Sequence, residues 1–290
     1  MSATLQLRRR MVNALALALG ACATALGLAL LGWILWLTLR QGLAALDWRL
    51  FTQISADGEQ GGLSNAIVGS LIMDLGALAI CVPVGVAAGT FLAEYAPRSR
   101  FGASVRFLND ILLSAPSIVL GLFVYVAVVL PMSRLSGGAV SFSGVAGSIA
   151  LALIGLPVIV RTTDQMLQLV PATLREAALS LGVPQWKLTV HVLLRAAASG
   201  IVTGVLLALA RLAGETAPLL FTAFGNNFMT LHPLHKMGSV PVTIYQYAND
   251  PSPALHAIAW AGALLITLFV LALSVTMRVF THRHRRMHEQ

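Results

Sequence analysis

Pro171-Ala172-Thr173-Leu174-Arg175-Glu176-Ala177-Ala178-Leu179-Ser180-Leu181-Gly182 lies between two long apolar runs. Proline is harmless in a first helical turn, where its missing N–H would have no partner, and glycine accepts the left-handed backbone that ends a helix. The segment therefore reads as a short helix over 171–181 with Gly182 as its cap. Leu174, Ala177, Ala178 and Leu181 recur at spacings of three and four, while Arg175 and Glu176 lie off that face, so the helix is amphipathic and about 15 Å long. Val183-Pro184-Gln185-Trp186-Lys187 then opens a second helix. The stretch Arg161 to Arg195 is too long for a tight turn and too polar to cross a bilayer, so it is a structured loop dividing the crossings before it from those after it.

Outward from this loop the chain is dominated by apolar residues. Hydrophobic residues make up 57%, charged residues 10%, and the mean hydropathy is +0.82, more than a soluble domain can shield from water. A hydrocarbon core needs about 20 apolar residues per helical crossing. Met11 to Leu39, Ile111 to Ser133 and Ala257 to Met277 contain no charge; Leu63 to Ala93 contains only Asp74, and Ala196 to Ala223 only Arg211 and Glu215. A shorter run, Val145 to Val160, extends through Ser141 to Gly144 into a sixth crossing, since an odd total would put the basic termini on opposite sides. The expected fold is an all-α membrane protein with spans at about 11–39, 63–93, 111–133, 144–160, 196–223 and 257–277. A basic N-terminus (1–10), a transmembrane domain (11–280) and a basic tail (281–290) complete the layout.

Short loops rich in Lys and Arg stay in the cytoplasm. With both termini inside, 14 of the 19 basic residues fall on that side. Arg40, Arg49, Arg134 and Lys236 fall outside, and Arg211 within the membrane. The net charge of +8 thus marks topology: the charges flank spans and form no single stripe of the kind that binds nucleic acid. Arg8 to Arg10 before an apolar stretch could suggest a cleaved signal, but the run continues uncharged to Leu39, longer than a signal core of about 7 to 15 residues. Cys22 and Cys81 lie in apolar runs without CxxC spacing and read as small buried hydrophobes.

The outer loops Arg40 to Gly62 and Gly225 to Ala254 line a vestibule or cap helix ends. His232 and His235 lack a third ligand and make no metal site. Asp74, toward the outer end of the second span, reads as a snorkelling or hydrogen-bonded residue. Ser114, Pro116 and Ser117 mark a helix kink. His282 to Arg286 suit a surface of anionic lipid heads. No GxxxxGK[ST] is present, so the chain has no ATPase site of its own; nor is there a HExxH pair, an intramembrane Ser/His pair or a carboxylate cluster of a membrane-embedded enzyme.

Glu176-Ala177-Ala178, three residues and then Gly182, with Val192 and Leu194 further on, resembles the EAA loop of ABC importer permeases. The resemblance implies that Glu176, Ala177, Ala178 and Gly182 form a cytoplasmic coupling helix, between spans four and five, gripped by an ATPase. One departure is that Leu194-Arg195 stands where that family often has Leu-Pro. Phe107-Leu108-Asn109-Asp110-Ile111-Leu112-Leu113-Ser114-Ala115-Pro116-Ser117-Ile118-Val119 and Ala210-Arg211-Leu212-Ala213-Gly214-Glu215-Thr216-Ala217-Pro218-Leu219-Leu220-Phe221-Thr222 are similar to the PstA-type permeases of phosphate-specific transport. So are Leu92-Ala93-Glu94-Tyr95 and Arg161-Thr162-Thr163. This likeness implies a multi-pass protein of the bacterial inner membrane, importing phosphate with a second permease of PstC type, two ATPase subunits of PstB type and a periplasmic binding protein of PstS type. ATP and Mg would sit on the ATPase and no cofactor on this chain. A permease for sulfate or molybdate, a channel and a membrane enzyme are the alternatives, although a channel needs no ATPase-docking loop.

An arginine at the bilayer centre costs about 2.5 to 3.5 kcal/mol on insertion scales, so it normally faces a cavity or a partner. Counted from Ser199 at 1.5 Å per residue, Arg211 lies about 18 Å into its span, near mid-depth. Its planar fork matches the edge of a tetrahedral oxyanion, and Glu215, one turn on, can hold it when no anion is bound. The same two residues also suit a purely structural ion pair. The arginine bias yields a direct test of topology. In a background lacking Cys22 and Cys81, Ser180→Cys should react with an impermeant maleimide only after the membrane is opened, and labelling in intact spheroplasts would overturn the orientation.

Overall fold

The computed structural model describes residues 3–138 and 141–288, and of residues 3–5, 7 and 279–288 the backbone alone. The side chains of the tail 282–286 therefore lie outside the described residues. The chain folds into α1 (Ala3–Ala44), α2 (Ser64–Thr90), α3 (Arg100–Ser114), α4 (Ser117–Val124), α5 (Gly144–Gln168), α6 (Ala172–Ser180), α7 (Leu194–Leu212), α8 (Ala217–Thr222), α9 (Val240–Ala248) and α10 (Pro253–His288). Single π-type turns prolong α2 over Phe91–Tyr95 and α4 over Tyr125–Val129, and another, Leu188–Leu193, leads into α7. Among the described residues the extended structure is confined to one isolated bridge, Phe224 to Met237.

Six helical stretches are long and apolar enough to cross a bilayer: Arg8–Ala44, Ser64–Tyr95, Ser117–Leu135, Gly144–Gln168, Gln185–Leu212 and Pro253–Arg278. Their number matches the expectation; several limits do not. The first helix runs on through Arg40 to Ala44. The third crossing starts at Ser117, because Ala115, held extended (ψ 136°) before Pro116, breaks α3 from α4; the residue before a proline is pushed out of the helical region. The fourth is not short: α5 continues past the apolar run to Gln168, its added charges Arg161 and Asp164 being paired with Asp110 and Arg106 of α3. The run 196–223 is not one helix. Its helix begins upstream at Gln185 and ends at Leu212, where Gly214 and Pro218 interrupt the hydrogen-bond ladder.

The central helix is α5, 67% of whose apolar stretch is buried against 0% for α1 and 22–28% for the other spans. It lies closest to α2. A Cβ added at Gly89 would stand 2.6 Å from the Thr163 Cβ, and one at Gly85 2.8 Å from the Ile159 side chain, so small residues let the two helices approach almost backbone to backbone. Met73, Ala77, Cys81, Leu151, Ile154, Ala208 and Leu212 fill the core between α2, α5 and α7. The helix α1 packs on α10 alone at its far end, where Gly42 meets Leu264.

The two outer loops are fastened together. The Asn65 side chain donates to the Asn226 carbonyl (2.7 Å) and accepts from the Ser55 hydroxyl (2.9 Å), while the Tyr247 hydroxyl donates to the Ser55 carbonyl at 3.3 Å. Leu50, Leu63, Val240 and Tyr247 cover the joint, making one cap over the helix ends opposite α6. Asp74 departs from its expected snorkelling role: it is buried at 7% exposure inside the bundle, on the turn where Met73 meets Gly147.

The α2–α5 contact yields a stability test. Gly89→Val should lower the midpoint of thermal unfolding in detergent, by an overpacking cost of about 1 to 3 kcal/mol. Gly27→Val should leave it unchanged, since nothing lies within 4 Å of that position; equal midpoints would refute the close approach.

Candidate functional site: a broken helix at mid-depth and a docking helix at the basic end

Arg211 is the penultimate residue of α7, and its neighbour Leu212 is buried, with a Cβ at Gly155 standing 3.3 Å from its methyl groups. Gly155 is near the middle of α5, so the end of α7 sits near mid-depth of the bundle. The backbone then closes a tight turn, Gly214 N–H to Arg211 carbonyl (3.3 Å) and Glu215 N–H to Leu212 carbonyl (3.0 Å), before α8 resumes outward. These bonds pair the N–H groups of Gly214 and Glu215 within the turn, as a helix broken at membrane depth requires. The helix α8 is wedged against α4, where a Cβ at Gly121 would stand 2.6 Å from the Pro218 Cα.

The Arg211 Nε lies 3.6 Å from Glu215 Oε1, with side-chain exposures of 38% and 16%. The distance is that of an ion pair slightly too long for a good hydrogen bond. The fork of Arg211 thus keeps donors free on a face that the chain itself leaves open.

The helix α6 forms as expected, with Pro171 before it and Gly182 after it at φ +75°; a side chain at that φ strains the backbone whatever the space around it. Glu176 and Ala177 are exposed, and Leu174, Leu179 and Leu181 are 39%, 52% and 83% exposed. Ala178 turns inward onto the cluster of Ala93, Leu167, Val170, Leu188, Leu193 and Ala197. The apolar face therefore covers little of its own chain and stays open to a partner.

The same end holds four charged residues in two pairs: Arg106, Arg175 and Glu94, which the sequence marked only by topology, helix face or family likeness, and Asp164, which it did not single out. Arg106 Nε donates to Asp164 at 2.7 Å, its Nη2 to the Leu92 carbonyl at 2.7 Å. Arg175 pairs with Glu94 at 2.8 Å. The hydrogen bond to Asp164, first among the causes, raises the pKa of the Arg106 guanidinium. A cavity of about 240 Å³ opens beside Arg106, Asn109, Asp110, Arg161, Asp164 and Gln168. The usable signal was positional: Glu94 and Asp164 each fall at the end of a span, where a carboxylate needs a basic neighbour.

The candidate residues form two separate groups. From Gln185 to Leu212 is 28 residues of continuous helix, about 42 Å, so Arg211 and Glu215 do not touch Glu176, Ala177, Ala178 or Gly182. Ser114 Oγ donates to the Ile111 carbonyl and so closes the end of α3. His232 and His235 have ring centroids 5.0 Å apart, and no group of three metal-ligating residues occurs among the described residues.

Residues 85–286 match the family described as "Binding-protein-dependent transport system inner membrane component". The phosphate transport system permease protein PstA of Xylella fastidiosa is 51% identical over 279 residues, covering 96% of this chain and 95% of that protein. The chain belongs to the PstA family of transport permeases. The PstA protein of Haemophilus influenzae is 50% identical over 273 residues, covering 94% of both chains. A chain from inward-facing structures of the MetNI methionine ABC transporter superposes with a TM-score of 0.53 at 21% identity, covering 76% of this permease and 94% of that chain. That likeness establishes the fold of the matched part as that of an ABC permease. The family match begins at Gly85, so α1 and most of α2 precede it, whereas the PstA relatives align over nearly the whole permease.

Proposed function

We propose that the chain is the membrane-spanning subunit of an ABC importer that moves inorganic phosphate into the cytoplasm, driven by ATP hydrolysis on a separate subunit. The observation that carries this is Arg211 at a mid-depth helix break in a member of the PstA family. A charged fork there is stable only against a partner or an aqueous path, and a transporter site built on a discontinuous helix near the midplane meets that need. Arg211 is the anion contact. Glu215 holds its guanidinium between passages and so avoids an unpaired buried charge.

The partners follow from the same family: a second permease of PstC type facing Arg211, two PstB-type ATPase subunits, and a PstS-type phosphate-binding protein at the outer cap. Both termini, the 96–116 connection and α6 lie in the cytoplasm, in accord with the arginine bias. Glu176, Ala177, Ala178 and Gly182 present the face that seats in the ATPase, Gly182 fixing the angle of the helix. ATP and Mg belong to that partner, and this chain holds no cofactor.

A double mutant separates an anion contact from a structural pair. If the pair were only structural, losing Arg211 would strand Glu215 at a cost of about 3 to 5 kcal/mol for a buried pair, and removing both charges would largely restore function. Arg211→Gln alone, and Arg211→Gln with Glu215→Gln, should both insert normally yet import little phosphate in the reconstituted complex. Arg211→Lys, which keeps the charge and loses the fork, should be intermediate. Substantial uptake by the double mutant would leave Arg211 a structural residue.

A further inference from the structure

One guanidinium joins three elements at the basic end. Arg175, in the first turns of α6, donates from Nη1 to the Val170 carbonyl (2.6 Å), and from Nη2 to the Leu167 carbonyl (2.7 Å) and Glu94 Oε1 (2.8 Å), while its Nε reaches Glu94 Oε2 at 3.4 Å. Leu167 and Val170 belong to the last turn of α5 and its exit, and Glu94 to the π-type turn that ends the second span. The Glu94 side chain is 8% exposed and that of Arg175 25%, so the contact is dry enough to be strong and rigid.

The rest of α6 offers no comparable hold. None of its nine residues is buried; its leucines face outward, and Ala178 alone packs on the inner cluster. A push on the exposed face of α6 therefore has three ways into the bundle: along the backbone through Pro171 into α5, along the backbone through Gly182, or through the Arg175 side chain, which reaches α2 at Glu94 directly. Of the two backbone corners the glycine one, at φ +75° with nothing within 4 Å of it, is the more pliant. The side chain ends on α2 and α5, the two helices packed most closely, through Gly85 and Gly89. Packed helices of this kind shift as a unit.

We infer that Arg175 is the strap that delivers movement of α6 to the α2–α5 pair, with Glu94 as its anchor: a positioning residue for transport, distinct from the surface that meets the ATPase. The inference rests on the importer assignment and adds to it the route by which force enters the membrane. Arginine suits the task because its fork serves a carboxylate and two carbonyls at once, which a lysine ammonium on a flexible stem cannot hold in one geometry. Movement of α2 and α5 against the α7 break then changes what surrounds Arg211, since Leu212 packs on α5 at Gly155.

The test replaces the ion pair by a removable covalent link in the complete reconstituted transporter. In a parent with Cys22→Ala and Cys81→Ala, Glu94→Cys combined with Arg175→Cys should leave ATPase subunits bound and hydrolysing, yet lower phosphate imported per ATP about tenfold, within the usual range of coupling energies. Joining the two cysteines with a short bis-maleimide should regain most of that ratio. Stimulation of hydrolysis by the loaded binding protein, which needs the same link and no transported anion, should fall and recover in parallel. A parent that hydrolyses ATP on stimulation but imports no phosphate would count against the substrate assignment alone, with stimulation still reporting on the strap. An unchanged ratio and unchanged stimulation in the unlinked variant, or no recovery on linking, would overturn the strap. So would loss of the ATPase subunits, which would put Arg175 in the docking surface.

Discussion

In hydrocarbon an unpaired backbone N–H or carbonyl costs several kcal/mol, because no water is there to take its hydrogen bond. That cost shapes every part of this chain. It forces the apolar runs into helices, and it permits the helix ladder to open only inside protein. The break after Leu212 meets the condition: the turn from Arg211 to Glu215 pairs its own N–H groups, α5 closes one side at Gly155, and α4 presses on α8 at Gly121. Along α2 and α5 small residues stand where the helices meet closely, as Gly85 does at Ile159 and Gly89 at Thr163. Without the tight α2–α5 pair there would be no wall against which a helix could stop at mid-depth.

Charge follows the same logic of solvent. At the basic end, where headgroups and water begin, carboxylates and guanidinia pair across elements: Arg106 with Asp164, Arg175 with Glu94, and the more exposed Arg161 with Asp110 at 3.3 Å. These pairs link the exits of α2 and α5 to α3 and α6, so the basic end is cross-braced. At mid-depth the ion pair among the described residues is Arg211 with Glu215, and it is loose. Under the proposed function a loose pair would let an oxyanion compete with Glu215 for the same fork.

Much of this was legible in the sequence because lipid selects for patterns that composition displays. Six crossings and the amphipathic α6 with its Gly182 cap follow from run length, charge placement and helical spacing. The limits of the spans were not legible where charges are paired: Asp164 and Gln168 extend α5 because neighbours satisfy them, as the Gln168 amide does by donating to Asp164 at 2.8 Å, and run length cannot register a partner. The interruption of 196–223 was written in Gly214 and Pro218, but both sit in an apolar stretch that reads as continuous. Arg175 and Glu94, 81 positions apart in sequence, become partners only through the parallel packing of α5 beside α2. Of the two readings of Asp74, snorkelling or hydrogen-bonded, burial removes the first, and burial is a property of packing that the sequence does not display.

The central claim is that this chain forms the path of an ATP-driven importer for phosphate, with Arg211 as the oxyanion contact. Its most direct test is uptake of radiolabelled phosphate, sulfate and molybdate into vesicles carrying the reconstituted complex with ATP supplied to the ATPase subunits. Phosphate should accumulate, and only when ATP is present. Entry of sulfate or molybdate without phosphate would contradict the assignment.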